Sequence, residues 1–462
     1  MFGLPLPELA PPGEKLCAEV KNLFVGCADL SVRRLAVGEK KFPGELLWLD
    51  GCVDSAALSE SVVRPLSRLE GRDAEACLRA ALRGGLYAGS AERAGDPGEI
   101  AQRLCGGCAA LFLSGAEGCV TAEIRSAAVR SVDSPTIEKS VLGAKDAFVE
   151  TLRVNSSRLR RRIPSPALKL REFPLGRQAP TVAALFYIEG TADPELIRLL
   201  EKRLSLPDGP ALRSTGELER LLAGEGGSAF PRVLHTERPD NFARGLLRGK
   251  VGVLCEGLPL GFLLPGCLPE MLSVGEDAAR HAPVRRALVG LRALGLLLSL
   301  LLPALYTAAA MYHPEMIPYT LLRSLILAKE SVPFSTAAEV LGMLLSFELL
   351  QEAGVRLPEP VGQTVSVIGA LIVGQSAVEA RVLSPIVIIV VALAGIGGYA
   401  QPSQELGAAV RLWRWLLVLL GATLGLFGVM AGLMELLRRL SAAESLGRAY
   451  LWPLCDRKGR EA

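Results

Sequence analysis

Four uncharged apolar stretches crowd the last third of this 462-residue chain, at 293–312, 361–378, 382–404 and 415–434. Each is about long enough to cross a hydrocarbon core roughly 30 Å thick as a helix. Before residue 290 charged residues are scattered throughout. The pattern predicts a large water-soluble front half joined to a compact membrane bundle. The expected fold is an α+β cytoplasmic region of two subdomains, the second a small α/β unit, followed by an all-α polytopic membrane bundle. Its expected parts are a polar lead at 1–60, subdomains at 61–175 and 176–285, the bundle at 286–440 and a cytoplasmic tail at 441–462.

Composition narrows the chemistry. The formal net charge is +3, so no strongly basic surface points to nucleic acid. The opening residues hold prolines and acidic groups with no basic start or apolar run, which places the front half in the cytoplasm as an expectation. Ten cysteines are irregularly spaced, and only Cys105 and Cys108 form a C-x-x-C. A zinc site needs a second pair or histidines at ligand spacing, and His235, His281 and His313 are far apart, so buried thiols are favoured over a redox or metal role. The glycines of GEGGS fit neither a dinucleotide fingerprint nor a phosphate loop, and no H-E-x-x-H or G-x-S-x-G occurs. Neither a metal, a cofactor nor an enzymatic activity is expected.

Along the front half, residues 1–45 read as a proline-rich lead, and 65–101 carries helical spacing. CAALFLSG and CVTAEIRSAAV predict a hairpin of two strands. Residues 136–162 read as largely helical and end in Arg158, Arg160, Arg161 and Arg162, a solvated or acid-contacting face, or one drawn to an anionic membrane. A second unit starts near 180 with the strand TVAALFYI, and Asp193-Pro194 opens a helix with a cap and a proline at its first position. GELERLLAGEG predicts another helix, Asp240 is placed as the N-cap of the helix NFARGLLRG, and VGVLCEG pairs with LPLGFLLPG.

The apolar third holds three further signals. Segment 334–352 carries Glu339 and Glu348; an ionised carboxylate in mid-bilayer costs roughly 2.5 kcal/mol or more, so the segment is expected to be re-entrant or interfacial with its glutamates turned to water or protein. Lys/Arg placement favours four crossings with both ends inside. Gly421, Gly425, Gly428 and Gly432 form a stripe along one helix that lets another backbone approach, from the same chain or another copy; an oligomer-packing surface is the expectation. Thr364, Leu371, Gln375 and Glu379 share one helix face, which either bonds neighbouring helices or lines a pore.

Several runs resemble the A subunit of spore germinant receptors: GVRLPEPVGQTVSVIGALIVGQSAVEARVLSPIVIIVVALAGIGGYAQPSQELGAAVRL, LLPALYTAAAMYHPEMIPYTLL, EGLPLGFLLP and the motif of His235 with Thr236, Glu237, Arg238, Pro239 and Asp240. RSVDSPTIEKSVLGAKDAFVETLRVNSSRLRRRI is similar to that family's helical stretch ending in an asparagine and basic residues, with Ser134-Pro135 and Gly143-Ala144 where Glu-Pro and Gly-Pro are expected. The resemblance implies an integral protein of the inner spore membrane. It implies homo-oligomers, as pentamers, acting as a nutrient-gated ion channel beside a nutrient-sensing membrane subunit and a lipoprotein. A sister branch that amplifies ion release late in sporulation, and a secondary transporter, are the alternatives.

Overall fold

The computed structural model describes residues 12–125, 135, 138, 143–206, 214–224, 229–356 and 375–452. The chain divides into two units, one of residues 1–225 with 233–265 and one of 226–232 with 266–462.

The first unit is an α+β region with two five-stranded sheets. Residues 12–49, read from the sequence as a lead, form helix α1 (Pro12–Leu23) and strands β1 (Leu30–Val37) and β2 (Phe42–Leu49). With β3 (Ala91–Ala94), β4 (Cys108–Leu113) and β5 (Cys119–Glu123) they build an antiparallel sheet in the order β1-β2-β4-β5-β3. Alternation along β2 and β4 sends side chains to opposite faces. Leu46 and Leu111 join the short helical segments over 55–66 and 74–85, while Leu47, Ala110 and Phe112 join α1 and α2 (Pro97–Cys105). Both faces are therefore apolar, and the predicted β4–β5 hairpin lies between them. Cys105 and Cys108 sit at the α2–β4 junction as free thiols, and burial pushes Cys105 up to about 12. Cys105 is buried and Cys108 half-buried.

The second sheet runs β6 (Leu168–Leu175), β7 (Thr181–Ile188), β9 (Val251–Cys255), β10 (Gly261–Leu264) and β8 (Leu234–Thr236). It is antiparallel throughout, so the expected α/β unit is α+β. β6–β7 and β9–β10 are hairpins, while β7–β9 and β10–β8 join strands separated by helices, all of them antiparallel. Helix α3 (Leu152–Arg162) starts later than expected. The buried Asn155 side chain bonds both the N–H and the C=O of Val149, at 2.9 and 2.6 Å, which holds the preceding backbone outside the helix. Helices α4 (Pro194–Leu204), with the predicted Asp193 cap, and α5 (Thr215–Ala223) follow β7. Helix α6 (Pro239–Leu247) presses Phe242 onto the sheet, edge-on to Phe148 and Phe186. Glycine is required beneath that ring, because a Cβ on Gly252 would stand 2.2 Å from the Phe242 Cζ.

The basic end of α3 is mostly engaged. Arg160 is 1% exposed and grips the fully buried Asp29 through two bonds of 2.8 and 2.9 Å, tying the start of β1 to α3. Arg162 holds Asp146 at 2.6 Å and the Arg158 guanidinium donates to the Ala147 carbonyl. The contact-with-acid reading accounts for Arg160 and Arg162.

The second unit is helical. Among the described residues its longer helices are α7 (Ala282–Tyr312), α8 (Tyr319–Lys329), α9 (Thr336–Arg356), α10 (Pro385–Tyr399) and α11 (Gln404–Ala442). By length and composition α7 and α11 are long and apolar enough to cross a membrane, with mean hydropathy of 2.1 and 2.3. Only 28% and 39% of their most apolar stretches are buried, whereas a core helix of a soluble protein hides most of its apolar side chains.

Breaking the Asp29–Arg160 pair from one side leaves a buried charge unpaired. Asp29→Ala is expected to destabilise the first unit by about 3–5 kcal/mol in denaturant unfolding of the full chain. Adding Arg160→Met should recover part of the loss, and two independent, additive effects would show that the pair is not coupled.

Candidate functional site: charged contacts in an apolar helical bundle

The bundle is organised by close backbone approaches. Helix α10 runs antiparallel to α7, with Gln401 donating to the Arg292 carbonyl at 2.9 Å and Gly397 packed on Gly295. A Cβ on Gly397 would stand 2.4 Å from the Gly295 carbonyl oxygen, so these two helices touch at their backbones. Ser384, which opens α10, therefore lies toward the Tyr312 end of α7.

Helix α11 is a folded-back hairpin. Gly425 has φ 62° and ψ −147°, a conformation open essentially to glycine alone, and breaks the helix in two. Residues 413 and 439 would stand about 39 Å apart in a straight helix, yet the Arg439 guanidinium lies 5.6 Å from the Trp413 ring centre. The two arms, 404–424 and 426–442, pack side by side. The Tyr312 hydroxyl donates to the Ala422 and Thr423 carbonyls at 2.8 and 3.3 Å, groups that the break releases from helical bonding.

The glycine stripe makes this fold possible. Cβ atoms would stand 2.9 Å from the Ala304 oxygen at Gly421, 2.3 Å from the Leu420 oxygen at Gly428 and 2.6 Å from the Leu417 Cδ2 at Gly432. Gly425 lies against Tyr312 and His313. The close approaches expected of the stripe are thus made inside one chain, and the predicted continuous span at 415–434 is interrupted at its centre.

Charged side chains join the helices. Glu339 of α9 is 1% exposed; its carboxylate accepts from the Ser384 N–H at 2.7 Å and lies 3.8 Å from the Lys329 ammonium. It caps α10 from another helix, where a negative charge meets the positive helix end. Lower on α9, Glu348 receives Arg414 at 2.7 Å and lies 3.5 Å from Arg411, which also donates to Gln351 at 2.8 Å. Arg414 is 1% exposed. Isolated at the centre of a membrane helix, such a charge costs about 2.5–3.5 kcal/mol on insertion scales, and Glu348 offsets much of that. Both glutamates flagged in 334–352 are turned to protein, as expected, but the segment forms a full helix of 21 residues. It runs from the Ser384 end of the bundle to the Arg411 end.

In the first unit the motif at 235–240 ends strand β8, turns and starts helix α6. Thr236 accepts from the Arg238 N–H at 3.1 Å and donates to Glu138 at 2.7 Å. The Glu237 carbonyl accepts from Phe148, and Arg238 holds Asp240 through bonds of 3.0 and 2.7 Å. Burial alone would raise the Asp240 carboxyl, but the Arg238 guanidinium outweighs it and holds the group below its ordinary value. Burial pushes Glu138 up, against hydrogen bonds from Thr236 and Asn241. Asp240 is not the N-cap: Arg238 takes that position because Pro239 fills the first helical one, leaving Asp240 in the first turn.

The family pattern described as Bacillus/Clostridium GerA spore germination protein matches residues 18–461. The chain belongs to that family. It is 31% identical to Spore germination protein KA of Bacillus subtilis over 96% of this chain and 82% of that protein. It is 33% identical to the membrane protein YfkQ of the same organism, over 96% and 86%. The N-terminal domain of the A subunit of the Bacillus megaterium spore germinant receptor GerK3 aligns at a TM-score of 0.43 and 21% identity, covering 56% of this chain and 98% of that one.

Of the predicted pore face, Thr364 and Leu371 lie outside the described residues, as does most of the apolar stretch 361–378. Gln375 and Glu379 are exposed on a short helical segment just ahead of Ser384, at the end of the bundle opposite Arg292. Arg381 lies beside them. The contacts of Glu339 with the Ser384 N–H and of Glu348 with Arg414 escaped sequence reasoning because the partners are 45 and 66 residues away.

The hairpin is tested by proximity. With cysteines placed at Trp413 and Arg439 in a background lacking other reactive thiols, a short bifunctional thiol reagent is expected to join them within one chain, seen as one intact fragment after cleavage between them. Gly432→Leu should reduce that yield several-fold by forcing the arms apart. Products joining two chains instead would assign the contact to assembly.

Proposed function

We propose that this chain is the A-type membrane subunit of a spore germinant receptor, working beside a nutrient-sensing membrane subunit and a lipoprotein in the inner spore membrane. The observation that carries the reading is the family match over 18–461 together with 31% identity to a spore germination protein across 96% of the chain. Copies assemble, as pentamers, around an ion path that opens when nutrient is sensed.

The bundle supports a membrane topology in which both ends lie on the cytoplasmic side. The apolar part of α7 begins just after Arg292, and the second arm of α11 returns to the level of Trp413. The same end gathers Arg285, Arg286, Arg292, Arg411, Arg438 and Arg439, against Arg323, Lys329 and Arg381 at the other. That asymmetry follows the positive-inside pattern. In this topology α9 and both hairpin arms are crossing elements, which departs from the four crossings expected from the sequence.

Ion movement is supported by the ionisable groups held within the apolar bundle, which mark pathways in membrane proteins. The Glu348–Arg414 pair holds α9 against the first hairpin arm and serves as a latch between closed and open arrangements. Exposed Glu379 attracts cations at the opposite mouth.

Conductance of the purified full-length oligomer in planar bilayers tests both roles. Glu379→Gln is expected to lower cation selectivity at unchanged protein abundance. Arg414→Gln should raise nutrient-independent leak by several-fold. If both variants conduct and select as the parent does, the path does not involve these groups.

A further inference from the structure

A cavity of about 690 Å³ opens beside the two arms of α11 at the end away from Gly425. Leu412, Leu416 and Trp413 form its apolar wall, and Glu435, Arg438 and Arg439 its polar one. Arg232 and Glu444 complete the charged lining, so three arginines face two glutamates. A single carboxylate, Glu435, is shared by both neighbouring guanidiniums at 2.6 to 2.8 Å. That sharing aims two arginines in fixed directions while neutralising one charge. Arg439 is further held over the Trp413 ring.

We propose that this cavity binds the headgroup of an anionic phospholipid. The surrounding surface commits it to that occupant. Leu412, Leu416 and Leu419 of the first arm are 62%, 43% and 48% exposed, and Phe427, Met430 and Met434 of the second are 75%, 61% and 74% exposed. These side chains offer an apolar face along which acyl chains can lie, running away from the arginines toward the hairpin tip. Guanidiniums pair with phosphate through two parallel N–H bonds, which suits a phosphodiester at the cavity rim. Tryptophan and arginine are the side chains that sit where hydrocarbon gives way to headgroups. A second pair of this kind, Arg448 over Trp452 at 5.5 Å, follows the hairpin. A lipid bound here would wedge the base of the hairpin and hold the arms in register, so the site couples lipid composition to the hairpin's geometry.

The inference rests on the membrane reading of the bundle, and its test separates the two. Purified full-length protein in neutral detergent would be titrated with phosphatidylglycerol or phosphatidylcholine and followed by native mass spectrometry. Phosphatidylglycerol is expected to bind about tenfold more tightly, since clustered basic side chains at a lipid surface attract anionic headgroups. Arg438→Gln with Arg439→Gln should abolish the preference, while the lysine double variant keeps most of it. Arg285→Gln with Arg286→Gln, the same loss of charge outside the cavity, should leave it within about twofold. Equal loss in that control would assign the preference to diffuse charge and overturn the site. Displacement by millimolar inorganic phosphate would make it a phosphate site and also overturn the proposal. Failure of the protein to associate with vesicles of either lipid would instead overturn the membrane reading.

Discussion

The reversal at Gly425 is the constraint on which the rest of the helical unit depends. A single residue with φ 62° turns a 39-residue apolar helix into two arms, and the turn is closed by the Tyr312 hydroxyl bonding two released carbonyls. A side chain at 425 would meet both a forbidden backbone conformation and the Tyr312 ring, its Cβ 3.2 Å from that of Tyr312. Once the arms are folded, Gly428 and Gly432 must stay bare for the facing backbone and leucines to fit. The reversal also brings Trp413 to Arg439, and so creates the cavity whose charged wall points toward a phosphate.

Charge pairing is the second organising force. In an apolar bundle hydrophobic contact gives little preference for one helix neighbour over another, whereas an unpaired ion is costly anywhere but beside its partner. Glu339 therefore fixes α9 against the start of α10, and Glu348 fixes it against the first arm of α11. In the first unit the Asp29–Arg160 and Arg238–Asp240 pairs serve a quieter purpose, holding loops to helices around two antiparallel sheets.

How much of this was legible in the sequence follows from the range of the interactions. The β4–β5 and β9–β10 pairs, the Asp193-Pro194 helix start and the positions of α7 and α10 were readable because local spacing and turn chemistry decide them. The strands at 30–49 were not, since LSVRRLAV and FPGELLWL are strongly apolar at their ends and charged within, and only pairing with β4 shows which face is buried. The α3 boundary turned on one buried asparagine reaching back six residues. Glycines at 421, 425, 428 and 432 fit a straight packing stripe as well as a hairpin, because their spacing is the same in either case. Only the contacts across the fold separate the two.

The most direct test of the account is two-sided labelling of sealed membrane vesicles carrying the full chain with one cysteine at a time. A cysteine at Thr423, beside the hairpin tip, should react with an impermeant thiol reagent only from the face opposite the one that reaches a cysteine at Ser445. Labelling of both positions from the same face would contradict the folded-back helix as a double crossing, and with it the topology drawn from the bundle.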